Sequence, residues 1–163
     1  INAILVNLGL PTVSWLGDIN VVMPAIFVVL TWKYFGFHML LYMAGLQSIP
    51  AELEDAAKID GASGYQIIWH IIIPLLKGTI RTTVYLSVLG SLQLFGLVWI
   101  LTEGGPAGAS EMMATYLYRF GFIRFSLGYG SAVAVVMFII CITFSLIYQR
   151  VFKEQDYLGG YGA

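Results

Sequence analysis

Two histidines, one cysteine and nine acidic side chains are the residues of this 163-residue chain that most often serve as bases, nucleophiles or metal ligands. They do not assemble into a reaction centre. No HExxH pair and no GxxxxGK[ST] phosphate loop occurs, and Cys141, the single cysteine, can form neither an internal disulfide nor a cysteine metal cluster. His38 and His70 have no nucleophile or carboxylate nearby in the sequence and read as structural residues. The charged groups that do cluster lie in IPAELEDAAKIDGAS, residues 49–63. Glu52, Glu54, Asp55, Lys58 and Asp60 place five of the seventeen formal charges (eight basic plus nine acidic) within nine residues. Such a cluster does no chemistry on bonds, but it can present a surface to another protein.

The cluster needs an element to hold it. Pro50 suits a first helical position, the early carboxylates suit the positive end of the helix dipole, and Glu54 precedes Lys58 at i,i+4 spacing. Gly61 supplies the stop. The pattern predicts a helix of about eleven residues, below the roughly 12–15 needed for marginal stability in water. Leu53 and Ala57 share one face, and Ala56 with Ala57 keeps the rod thin enough for close approach to a groove. A solvated connector is the competing reading of the same residues.

Around this segment the chain is oily: 59% hydrophobic, 10% charged, mean hydropathy +0.84. A soluble domain carries about a quarter charged residues, so the composition predicts an all-α membrane protein. A net charge of −1 and the lack of any basic run exclude a nucleic-acid surface. Three stretches, 21–46, 79–101 and 128–150, are long and apolar enough to cross ~30 Å of hydrocarbon, for which ~20 helical residues are needed. Residues 64–78 read as a short helix at the inner surface, interrupted at Pro74, because a span starting at 67 would draw Lys77 and Arg81 deep into lipid. Lys58, Lys77, Arg81, Arg150 and Lys153 outnumber Arg119 and Arg124 across this layout. The positive-inside bias then puts residues 47–78 and the tail 151–163 in the cytoplasm, and residues 1–18 and 102–127 outside. Trp15, Trp99, Tyr116, Tyr118 and Tyr129 form an expected outer aromatic belt, and Tyr65, Trp69 and Tyr148 an inner one. The chain starts at Ile1 without a signal-peptide pattern, and an external start predicts missing upstream spans.

ELEDAAKIDGAS followed by Ile73-Pro74 resembles the EAA loop of ATP-binding-cassette importer permeases. Asp55, Ala56 and Ala57 take the Glu-Ala-Ala positions, Gly61 the glycine and Pro74 the proline. WLGD at 15–18, MAGLQSIP at 43–50, LTEGGPAGASE at 101–111, YLYRFGF at 116–122 and GYGSAVAVV at 128–136 resemble the carbohydrate-uptake branch, in order along nearly the whole chain. The resemblance implies the C-terminal half of a type I importer transmembrane domain, with about three spans and a cytoplasmic coupling helix, in a multi-pass inner-membrane subunit. Its implied coupling residues are Leu53, Glu54, Asp55, Ala56, Ala57, Asp60, Gly61 and Pro74. Its implied partners are a cytoplasmic ATPase dimer, a second permease subunit, an external solute-binding protein and the lipid bilayer. ATP and Mg would be used by the ATPase, with no cofactor or metal on this chain. Asp55 departs from the family pattern, being one methylene shorter than the usual glutamate, and Glu54 is the alternative carboxylate.

Within the spans, Thr83, Ser87, Gly90 and Ser91 follow i, +4, +7, +8 and form a small, weakly polar stripe. Close helix packing and a substrate-facing wall both account for it. Tyr85 and Gln93 lie off the stripe within reach of a substrate's hydroxyls. Lys33 is the ionised residue near a span centre, where such groups face a cavity, a partner or the interface. Ser131, Ala134, Phe138, Cys141 and Ser145 predict a packing seam, and EMMATYLYRFGFI an amphipathic interfacial helix. A secondary transporter and a structural membrane subunit are the rival functions. The first is disfavoured because all nine Asp and Glu lie outside the proposed spans. The second gives no reason for a groove-fitting helix.

Overall fold

The computed structural model describes the backbone of residues 1–159 and the side chains of residues 1–152. Residues 160–163 of the expected tail, and the Lys153 side chain used in the charge argument, lie outside the described residues. Along that length run nine α-helices and two π-helical turns, joined by turns and irregular segments, with no strand. α1 is Asn2–Asn7, α2 Val22–Gln47 and α3 Ala51–Ile59. α4, Gly64–Ile67, runs through the π turn Ile68–Ile72 into α5, Ile73–Leu75. α6 is Lys77–Leu92, α7 Gly96–Thr102 and α8 Met113–Tyr118, which continues into the π turn Arg119–Ile123. α9 is Leu127–Gly159.

Two helices, Val22–Gln47 and Leu127–Phe152, are long and apolar enough to cross a membrane, and the pair Gly64–Leu75 with Lys77–Leu92, bent by 64°, makes a third candidate. The bend falls where Pro74 cannot donate to the carbonyl four residues back and the wider π turn precedes it. The stretch 79–101, expected as one span, is interrupted. Gln93, Leu94 and Phe95 are not helical, and α7 restarts at Gly96. α9 continues without a break into residues expected as a tail, because nothing from 151 to 159 is a proline or an isolated stop. The expected seam on α9 is also displaced. Ser131, Ala134 and Phe138 are exposed, and the less exposed row is Val133, Met137, Cys141, Phe144 and Tyr148.

The chain divides into two compact units, Ile1–Lys33 with Gly90–Ser145, and Tyr34–Leu89 with Leu146–Ala163. In the first, Val22, Ile26, Leu94 and Val98 form a buried cluster, flanked by Leu30, Leu97, Leu101, Ala109 and Met112. In the second, polar side chains tie the spans together. His38 Nε2 lies 2.8 Å from Ser87 Oγ, Tyr42 Oη lies 2.8 Å from Thr83 Oγ1, and Tyr148 Oη donates to the Arg81 carbonyl at 2.7 Å. Between membrane helices such bonds contribute roughly 0.6 to 2 kcal/mol each.

Candidate functional site: an exposed helix between two spans

α3 has nine residues and buries none of them. Its ends are well specified. Pro50 is the N-cap rather than the first helical residue, and Glu52 and Glu54 occupy the first turn with Lys58 in the last. At the other end, Ala62 N donates to Ala57 O at 2.9 Å and Gly61 N to Lys58 O at 3.1 Å, the paired bonds of a Schellman stop. That stop requires Gly61 at φ +79°, in the left-handed region where any Cβ is strained. Two residues later Ser63 and Gln66 close a capping box that starts α4. The short rod is therefore fixed by local bonds at its C-terminal end, with no side-chain cap at Pro50 and its length left uncovered.

The face it turns outward differs from the sequence expectation. Glu54 and Ala57 are half-buried, so the side opposite them carries Glu52, Asp55, Ala56 and Ile59, at i, i+3, i+4 and i+7. Ile59, which sequence reasoning left out, is 87% exposed, against 43% for Leu53. The expected Leu53–Ala57 stripe thus lies toward the half-buried side. The expected Glu54–Lys58 pair is replaced by Asp55–Lys58, whose atoms are 3.1 Å apart at i,i+3 spacing. Both spacings bring side chains together on a helix, and the pair that forms is the one whose carboxylate, Asp55, is exposed like Lys58, while Glu54 is half-buried. Asp60 is exposed beside the stop, and Pro74 sits in α5.

The residues named for a substrate path fall in both units, Tyr85 and Ser87 in the second and Lys33, Ser91 and Gln93 in the first. Tyr85 packs on Tyr148 with ring centroids 5.3 Å apart, beside a cleft of about 540 Å³ lined by Gly78, Arg81, Thr82, Gln149 and Phe152. Ser87 is engaged with His38 and donates to Thr83 O at 2.8 Å, and Thr83 is 2% exposed, so this half of the polar stripe packs helices. Ser91 and Lys33 are exposed on their helices, and Gln93 stands exposed in the break between α6 and α7. Among the described residues, no group of three or more His, Cys, Asp or Glu side chains comes together to hold a metal.

The connection between α7 and α9 is built differently. Ser110 and Thr115 are fully buried and their hydroxyls donate to Gly105 O at 2.6 Å and Met112 O at 2.9 Å. Glu111 Oε2 pairs with Arg119 at 3.2 Å, and Arg119 also donates to the Glu103 carbonyl. Gly104, at φ +83°, is required here: a Cβ would lie 2.7 Å from Glu111 Oε2 and 2.9 Å from Arg119 Nη2. Tyr116 and Tyr129 meet through their hydroxyls at 3.1 Å, and that bond holds the Tyr116 phenol above its ordinary pKa near 10.

Residues 1–155 match the family described as binding-protein-dependent transport system inner membrane component. The chain belongs to this family. The permease is 43% identical over 139 residues to ORF1, an ABC-transporter-permease-like protein of Caldicellulosiruptor sp. (strain Rt8B.4), covering 85% of this chain and 99% of that one. It is 37% identical over 153 residues to the trehalose/maltose transport system permease protein MalF of Thermococcus litoralis, covering 92% of this chain and 50% of MalF. Its fold matches the crystal structure of the bacterial alginate ABC transporter in complex with alginate pentasaccharide-bound periplasmic protein, with a TM-score of 0.82 and 25% identity over 91% of this chain and 52% of that chain. The chain thus spans nearly all of ORF1 and about half the length of MalF. It is an inner-membrane transport component, not an enzyme.

Proposed function

We propose that this permease moves a sugar or related polyol inward, driven by ATP hydrolysed on a partner subunit, and that α3 is the element through which the drive is delivered. Residues 49–63 would face the cytoplasm and residues 102–127 the outside. An ATPase dimer would grip α3, a second permease subunit would complete the pathway, and an external solute-binding protein would deliver the substrate. The observation that carries this reading is the outward row Glu52, Asp55, Ala56 and Ile59 on a nine-residue helix with no buried residue. A rod this short is not stable through its own hydrogen bonds, and an isoleucine at 87% exposure offers an apolar anchor ringed by carboxylates. Coupling further requires the ATPase to hold this face differently in its two states, since equal contacts would shift no equilibrium. The sugar class is supported by the trehalose/maltose and alginate systems that the chain resembles.

The test is a cysteine placed at Ile59 in the full transporter, assembled with its partners in proteoliposomes. Disulfide or bifunctional crosslinking should trap this chain with the ATPase, and the yield should change when ATP is bound. Crosslinking from Ile59 only to lipid or only to the external binding protein would overturn both the sidedness and the coupling role.

A further inference from the structure

The break between α6 and α7 lies inside the apolar stretch, and a row of aromatic rings starts from it. α6 has sixteen residues and rises about 24 Å, short of the ~30 Å of a bilayer core. A path that enters hydrocarbon near Lys77 is therefore still inside it at Gln93–Phe95. Non-helical backbone at such depth is tolerated only where protein or a water-filled cavity covers it, because lipid cannot satisfy its N–H and C=O groups. Gln93 is exposed there. Interrupted helices of this kind line substrate paths in membrane transporters.

Phe95, the N-cap of α7, stacks on Trp99 with centroids 5.8 Å apart and planes at 16°. Trp99 meets Tyr118 edge-on at 4.9 Å, and Tyr118, just before the π turn, stacks on Phe122 within it at 5.7 Å and 27°. Phe95 also touches Tyr118 at 5.1 Å, so the four rings are continuous. Phe95 and Trp99 are half-buried, Tyr118 is 37% exposed and Phe122 60% exposed. On the flank of α7 next to these rings, Val98 is completely buried in the core cluster. None of the four carries a charge.

We infer that Phe95, Trp99, Tyr118 and Phe122 form a stacking platform for a neutral sugar, leading from the outer connection to the break at Gln93. A pyranose has one face of polarised C–H groups and a rim of hydroxyls. The negative face of an aromatic ring attracts the former, while the Tyr118 phenol and the Gln93 amide can meet the latter. The uncharged rings select against charged sugars, which need a guanidinium or ammonium partner within the same surface. This inference rests on the import reading and names its substrate class more narrowly.

The experiment uses the full transporter in lipid nanodiscs, with this chain carrying fluorotryptophan and its Trp99 fluorine signal assigned by Trp99→Phe. A water-soluble gadolinium chelate and a lipid-borne nitroxide report which solvent reaches the ring, and maltose and maltoheptaose are the sugar probes. Trp99 should be relaxed by the aqueous agent and protected in a saturable way by both sugars, whereas Trp32, 86% exposed in α2, should respond to the nitroxide. Tyr118→Ala and Phe122→Ala should each raise the half-protecting sugar concentration about 3- to 10-fold, the scale of one aromatic contact. Ile100→Ala, beside the platform and 83% exposed, should not. Relaxation of Trp99 by the nitroxide to the same degree as Trp32 would make the rings a lipid belt and overturn the platform. So would aqueous exposure with no protection by either sugar. Stimulation of ATPase activity by the binding protein, measured on the same discs, tests the import reading separately: its loss with sugar protection intact would remove that reading and leave the platform standing.

Discussion

The segment around α3 and the segment 103–126 both connect helices of the same permease, yet one is left open and the other is closed on itself. α3 buries no residue, and its Asp55–Lys58 pair sits at 68% and 58% exposure. The second segment buries Ser110 and Thr115, satisfies both hydroxyls, and holds Glu111–Arg119 at 17% and 28% exposure. A connection whose shape is its own product packs its polar groups inward. One whose shape is completed by something else keeps its apolar and charged groups outward, fixing only its stop. The difference teaches that α3 should be read by its effect on a partner and the 103–126 segment by its effect on stability.

The largest expected effect breaks the first half of that contrast. Ile59→Asp replaces the exposed apolar anchor by a carboxylate. Loss of a buried isoleucine contact, about 1.5 to 3 kcal/mol, plus the cost of burying an unpaired charge, predicts at least a 30-fold loss of ATP-driven uptake. The thermal midpoint of the purified permease should stay within about 2 °C of the parent, because no contact within the chain is removed. Normal uptake by this variant would refute the coupling role of α3. Gly61→Leu acts on the same rod through its stop. A leucine held at positive φ costs about 1 to 2 kcal/mol, so the end of α3 should re-form with altered direction and uptake should fall roughly tenfold. Restoration by Gly61→Asn, a residue that enters the left-handed region more readily, would tie the loss to backbone conformation rather than to side-chain bulk.

The second half of the contrast predicts the reverse pattern. Gly104→Val places atoms within about 3 Å of the Glu111–Arg119 pair at positive φ, and Arg119→Leu leaves a mostly buried carboxylate without its cation. Each should destabilise by about 2 to 3 kcal/mol, read as a lower thermal midpoint and as proteolytic cleavage within 103–112. The fraction of the remaining folded protein that crosslinks from Ile59 to the ATPase should be unchanged. If the α3 variants unfolded the chain and these two did not, the division between the connections would be wrong.

Much of this layout was legible before any coordinates. Apolar runs located α2 and α9, and the charge cluster with Gly61 located α3 and its stop, since both signals are strong and local. The outward face of α3 was not legible. Over nine residues, alanines at 56 and 57 and apolar residues at 53 and 59 allow two faces, and the partial burial of Glu54 and Ala57 decides between them. The break at Gln93–Phe95 was hidden because no proline or glycine marks it before Gly96, and Leu94 turns into the Val22–Ile26–Val98 cluster instead of continuing the helix. On α9, small residues occur on several faces, so spacing alone could not say which row packs.

The smallest effect sharpens the comparison most, because it sets one ion pair against another of the same kind. Lys58→Leu removes the cation of an exposed i,i+3 pair, which water and salt screen strongly and which contributes about 0.3 to 0.5 kcal/mol. The change in stability should therefore be under about 0.5 kcal/mol and vanish at high ionic strength. The Arg119→Leu penalty should persist in salt, since that pair lies largely out of solvent and its carboxylate also supports the close approach of Gly104. Parallel melts of both variants at low and high salt separate the two cases. Lys58→Leu should nonetheless weaken the salt dependence of ATPase association, because it alters the charge pattern beside Asp55 on the face proposed for docking. A stability loss from Lys58→Leu as large as that from Arg119→Leu would show that α3 is held from within the chain after all, and would leave its exposed row without the partner that it is argued to need.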